Sequence, residues 1–140
     1  MLGALNFASK KIETVKNDSY ITSAQVVELL LKLATKHAGK QIAIVLDNAR
    51  YQRCALVIST ALELGIELIF LPTYSPNLNL IERIWKFVKT NVLNAVYIHT
   101  FEEYCERISG FIETIEIDNA EKMNALVTEN FQLFDNCKVV

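Results

Sequence analysis

Two short, mainly apolar runs, Ile42-Ala43-Ile44-Val45-Leu46 and Ile66 to Phe70, flank one segment of helical length, and this pattern restricts the fold of the chain more than any other feature. The first run has no polar alternation, which suits a strand covered on both faces. The intervening segment reads as a helix reaching about Leu64, with Gly65 as its stop. Strand, helix and strand in succession predict a βαβ unit with a parallel pair and a right-handed crossover. The first run ends abruptly on Asp47-Asn48. Ligands of open α/β sheets collect outside the carboxyl ends of such strands, so this is where a site is expected.

The rest of the chain supplies the cover. Leu2 to Ala8 and Lys11 to Lys16 are rich in β-compatible residues and separated by a short polar break, which predicts an antiparallel hairpin. A parallel unit and a hairpin together predict a mixed sheet. Thr22-Ser23-Ala24-Gln25 has the spacing of a capping box, apolar positions recur at Val26, Leu29, Leu30 and Leu33, and Gly39 marks the stop, so a helix is expected there. Pro72 and Pro76 bracket a turn-rich stretch before a helix with the apolar stripe Leu78, Ile81, Trp85, Val88 and Val92. Thr100 to about Ile117 and Asn119 to Phe134 read as two amphipathic helices covering the sheet.

At 140 residues, 51% of them hydrophobic, the chain is expected to form one domain over residues 1–140 with its own core. There is no basic stretch leading into an apolar segment at the start, and no apolar run approaches membrane-spanning length. Cys54, Cys105 and Cys137 are odd in number and widely spaced, which suits free thiols rather than a disulfide framework or a zinc site. A cytoplasmic protein with no membrane partner is the expectation. The formal net charge of −2 gives no global footprint for nucleic acid, so any contact with DNA must be local. Only Gly3, Gly39, Gly65 and Gly110 occur, none in a phosphate-cradling loop after a strand, which removes a small nucleotide-binding module and any small-molecule cofactor of that kind.

Two carboxylates stand out by position. Asp47 follows the first buried strand, and Glu82 lies on the first turn of the helix after the next parallel strand, back toward the same end of the sheet. A pair of hard oxygen ligands there suits Mg²⁺ or Mn²⁺, ions that accept carboxylates together with waters and phosphates. Two such ions side by side can activate the attacking oxygen and neutralise the leaving one in phosphodiester chemistry. Arg50, Arg53, Arg83, Lys86 and Lys89 lie around these acids and can hold a DNA backbone.

Ile44-Val45-Leu46-Asp47-Asn48-Ala49-Arg50, together with Leu71-Pro72-Thr73-Tyr74-Ser75-Pro76-Asn77-Leu78-Asn79 and Ile81-Glu82-Arg83-Ile84-Trp85-Lys86, resembles the second and third acidic motifs of bacterial mariner-like insertion-sequence transposases of the DDE superfamily. Gly3-Ala4-Leu5-Asn6 resembles the second strand of that family's ribonuclease-H-like, retroviral-integrase-like fold. The resemblance implies an α/β domain with a mixed sheet flanked by helices. It implies Asp47 and Glu82 as catalytic, metal-binding members of an acidic triad, and Asn48 and Asn79 as accessory site residues. Arg50, Arg83, Lys86 and Lys89 would be DNA contacts, and the reaction would be metal-dependent DNA cleavage and transfer on transposon ends and target. In that family the first Asp lies on a central strand between the one beginning at Gly3 and the one ending at Asp47. That strand and the helix-turn-helix region are absent here, so a fragment lacking the first strand is expected, inactive alone and needing an upstream segment or self-association. Gln52 stands where the family often has His, and Leu80 where it often has Pro.

Other readings stay open at this level. The chain can be a non-catalytic remnant that self-associates or binds DNA weakly. Asp47-Asn48 also reads as a strand-ending turn, and Glu82 as the far half of a capping box begun by Asn79. Trp85 reads as core, Lys86 and Lys89 as a solvated face with Lys86 paired to Glu82, His37 as a helix-end residue and His99 as a loop residue.

Overall fold

The computed structural model describes residues 1–73 and 75–128, in four strands and five α-helices. The hairpin consists of β1 (Leu2–Leu5) and β2 (Ile12–Val15), antiparallel, with Leu2 opposite Val15. Asn6 shapes the turn, its side-chain oxygen accepting from the backbone of Ala8 and Ser9.

The helix α1 (Ser23–Lys36) begins with the expected box: Thr22 accepts from the Ala24 N–H while the Gln25 side chain accepts from the backbone of Thr22. It buries Val26, Leu29, Leu30 and Leu33. His37 caps it, two residues before the expected stop, and Gly39 turns the chain at a φ of 77°. The strand β3 (Ile42–Leu46) follows. After a 3-10 turn over Arg50–Gln52 comes α2 (Ala55–Leu64), closed by Gly65 in the left-handed conformation. The strand β4 (Ile66–Phe70) then pairs parallel to β3, with Ile42 opposite Ile66. The strand, helix and parallel strand of the βαβ unit are present as read.

The expected single mixed sheet is divided. Among the described residues β1 bonds only to β2 and β3 only to β4, giving two separate two-stranded sheets. Both rest on α1: Leu2, Ala4, Val15 and Ile44 meet Leu29 and Leu33, while Ile42, Ile44, Ile66 and Leu68 pack with Val26, Leu30, Val57 and Ala61. A groove of about 1420 Å³ lies between, with β1 along one side, β3 along the other and Val26, Leu29 and Leu33 of α1 beneath. Glu13 of β2 is ion-paired with Lys32 and Lys36 at the C-terminal end of α1, so β2 runs back along the helix. β3 enters from the same end of α1 and runs the same way. β1 therefore runs opposite to β3 and begins at the end where β3 finishes.

The expectation that β3 is covered on both faces also needs correction. Ile42, Ile44 and Leu46 face the helices, but Ala43 and Val45 are exposed, as are Glu67 and Ile69 beside them on β4. An apolar run indicates that a strand has no preferred solvent side; it does not supply the second layer.

The remaining helices are α3 (Leu80–Leu93), α4 (Phe101–Asp118) and α5 (Ala120–Leu126). They share a core of Ile84, Val88, Ile108, Ile115, Met123 and Val127, with Met1, Leu5 and Ile12 of the hairpin packed against it. α4 and α5 thus cover α3 and, through it, the hairpin rather than the whole sheet. The expected end of the last helix, at Phe134, lies outside the described residues, as does Cys137. Trp85 belongs to this layer, as expected, with its ring over β1: a Cβ at Gly3 would lie 2.6 Å from the ring. Glycine is there because the indole occupies the place of a side chain. Cys54 and Cys105 are free. No helix among the described residues is long and apolar enough to cross a membrane.

Candidate functional site

The end of the groove at which β3 finishes is built from three segments. The ladder between β3 and β4 closes with the Leu71 N–H donating to the Leu46 carbonyl at 2.8 Å, and Asp47 is the first residue beyond it. Asn48 then takes a φ of 75°, a conformation that asparagine tolerates better than most residues. Its side-chain oxygen is buried without a hydrogen-bond partner. The 3-10 turn that follows is held from inside: Gln52, only 6% exposed, accepts from the Ala49 N–H at 3.0 Å, and its own N–H donates to the Ala49 carbonyl. Where the family often has a histidine, this chain therefore uses an amide as a structural tie.

From the other side, Asn79 is the N-cap of α3. Its side-chain oxygen accepts from the Ile81 N–H at 3.3 Å, while its side-chain amide donates to the Asp47 carboxylate. One residue both starts the helix and fastens it to the strand end. The reciprocal half of a capping box does not form, so the Glu82 carboxylate is not consumed by the helix terminus. It is exposed on the first turn of α3 and makes no ion pair with Lys86 among the described residues.

Asp47, Tyr51, Asn79, Glu82, Trp85 and Lys89 all line the same groove. The phenol of Tyr51 registers both acids. Burial first, then the negative charge of Asp47, then that of Glu82, push its pKa above the ordinary tyrosine value. The described residues contain no cluster of three or more His, Cys, Asp or Glu able to hold a metal ion.

The basic residues are distributed unevenly. Arg50, Arg53, Lys86 and Lys89 are exposed, and of these only Lys89 lines the groove. Arg83, expected as a DNA contact, turns instead toward the end of α5 and donates to the carbonyls of Leu126 and Thr128, each at 3.2 Å. Those carbonyls lie at a helix end that lacks its own partners, which a guanidinium satisfies well. Tyr51 was not singled out in the sequence. The available signal was an aromatic residue four places after an acid at a strand's carboxyl end.

The family model of the DDE superfamily endonucleases matches residues 1–105, which include both strand pairs, Asp47 and Glu82. The chain belongs to this family. It is 26% identical over 117 residues to the insertion element IS630 uncharacterized 39 kDa protein of Shigella sonnei. That match takes in 82% of this chain and 34% of the relative, so the chain spans about a third of that protein's length. Among solved structures it resembles the catalytic domain of Mos1 mariner transposase, with a TM-score of 0.65 at 16% identity over 83% of this chain and 60% of that one. The Mos1 catalytic domain with raltegravir and Mg matches with a TM-score of 0.60, also at 16% identity, over 89% of this chain and 70% of that one. The fold of this DDE superfamily endonuclease domain is therefore ribonuclease-H-like.

Proposed function

We propose that this chain supplies two carboxylates of a metal-dependent DNA strand-transfer site and is catalytically silent until another polypeptide segment completes that site. The observation that supports the reading is that Asp47 and Glu82, from different elements, line one groove and both act on the Tyr51 phenol, with the Glu82 carboxylate unpaired among the described residues. The donors fit Mg²⁺ or Mn²⁺: two carboxylates lining one groove, both hard oxygen ligands. The related Mos1 catalytic domain has been described with Mg. When bound, such ions activate the attacking oxygen and neutralise the leaving one. The chain's own part is to position. Asn79 orients the Asp47 carboxylate, α3 presents Glu82, and Lys89, with Arg50 and Lys86 nearby in sequence, meets the phosphate backbone of transposon-end and target DNA.

The missing element is an extended strand in the groove. The facing edges of β1 and β3 carry backbone groups that no strand among the described residues pairs. A segment running parallel to β3 and antiparallel to β1 would pair with both and deliver its C-terminal residue, an acid by family resemblance, beside Asp47 and Glu82. An upstream transposase segment is the occupant proposed, with a second copy of the chain as the alternative source.

The test is calorimetric titration with Mn²⁺ and a cleavage assay on the same protein. Weak metal binding that is lost in Asp47→Asn and in Glu82→Gln, with no cleavage by the chain alone, is expected. Binding untouched by either substitution would overturn the site. EDTA-sensitive cleavage by the chain alone, lost in Asp47→Ala, would overturn the claim that the site is incomplete.

A further inference from the structure

Resting on that reading, we propose that Tyr51 is a DNA-contacting residue of the site, its phenol O–H donating a hydrogen bond to a backbone phosphate oxygen beside Asp47 and Glu82. The first support is the inventory of donors at this end of the groove. The Asn79 amide is committed to Asp47, and its oxygen to the Ile81 N–H. Gln52 is buried and tied to Ala49. Apart from the Trp85 indole, whose ring lies over Gly3, Tyr51 and Lys89 remain as groove-lining donors whose side-chain polar atoms have no hydrogen-bond partner among the described residues.

The second support is the way the turn is built. Its backbone bonds, Gln52 N–H to the Ala49 carbonyl at 3.0 Å and Arg53 N–H to the Arg50 carbonyl at 3.2 Å, fix the 3-10 geometry. With Gln52 turned inward against α1, its neighbour Tyr51 is held at the groove, 36% exposed. A side chain placed by a locked turn loses little freedom on binding, which favours a specific contact over an incidental one.

The third support is chemical. A ligand bearing phosphates approaches a site that already holds two negative carboxylates. Lys89 answers that with charge; a neutral hydroxyl gives direction without competing for the cations that the acids bind. A tyrosine phenol is protonated, and so a donor, throughout the neutral range, and burial with the two acids moves it further that way.

The experiment measures binding of a fluorescein-labelled DNA duplex to the full chain by anisotropy at low salt with Mg²⁺, for the wild type, Tyr51→Phe, Tyr51→Leu and Asp47→Asn. Thermal melts confirm that each variant is folded. The expected result is Mg²⁺-promoted binding in the wild type that falls in Asp47→Asn. Tyr51→Phe should weaken binding about tenfold, the loss of one charge-assisted hydrogen bond, with Mn²⁺ affinity by calorimetry unchanged. Binding in Tyr51→Phe equal to wild type, with or without a loss in Tyr51→Leu, overturns the proposal, since the ring alone would then suffice. Wild-type binding indifferent to Mg²⁺ and to Asp47→Asn overturns the functional reading, and this inference with it.

Discussion

The two strand pairs of this domain are of equal rank in the sequence and unequal in the structure. The hairpin β1–β2 is short, yet it is packed on both faces, by α1 on one side and by the α3, α4 and α5 layer on the other. The pair β3–β4 is longer and more apolar, but it is covered by α1 and α2 on one face only, leaving Val45 46% and Ile69 42% exposed. The pair that bears Asp47 is thus the less enclosed one. On the functional reading proposed above, the open face lies on the pair whose strand end carries the acid, and enclosure is concentrated on the other pair.

The largest effect is expected on the enclosed side. Ile108, fully buried beneath the hairpin, should destabilise the domain by about 3 kcal/mol when changed to Ala, read by urea unfolding. A cost below about 1 kcal/mol would mean that the α4 layer is not integral to the hairpin's packing. Gly3→Ala should cost about 2 kcal/mol, because its Cβ would have to displace the Trp85 ring. The double variant with Trp85→Leu should recover most of that loss, and additive losses would show that the indole is not the obstacle.

At the boundary between the two regions, Asn79→Ala removes the cap of α3 and the donor to Asp47 together. About 1 kcal/mol of stability is expected to be lost, with a larger relative loss of Mn²⁺ affinity. Stability lost without any change in metal affinity would separate the cap from the site.

On the site side, the Tyr51 phenol should titrate above ordinary tyrosine, followed by absorbance near the phenolate band. Because its folded pKa is raised, the stability it contributes is present below the ordinary tyrosine pKa and lost as pH rises through the folded value. Asp47→Asn should bring the titration part of the way back toward the ordinary value, leaving the contributions of burial and Glu82. No movement would mean that the acid does not act on the phenol. The smallest effect is expected at the exposed face: Ile69→Thr should change stability by less than about 0.5 kcal/mol. A cost well above that would reveal that this face is covered in solution, and the asymmetry between the two pairs would then vanish.

Much of the fold could be read from the residues themselves. The capping box at Thr22 and Gln25, the glycine stop at Gly65, the hairpin around Asn6 and the parallel pair on either side of α2 are all decided by local chemistry: dihedral freedom, terminal N–H groups and the spacing of apolar residues. The positions of Asp47 at a strand end and Glu82 in a first helical turn were legible for the same reason. The tertiary structure decided what local chemistry does not encode. Whether β1 and β3 share a sheet depends on where the two pairs come to rest on α1. Which donor reaches Asp47 depends on where Asn79 arrives after a turn-rich connection. Arg83 and Lys86 look alike in sequence as basic residues near Glu82, but Arg83 is drawn to the open carbonyls at the end of α5, some forty positions on, while Lys86 stays in solvent. Exposed backbone carbonyls compete for a guanidinium as well as a phosphate does, and only the packed chain determines which of them lies within reach.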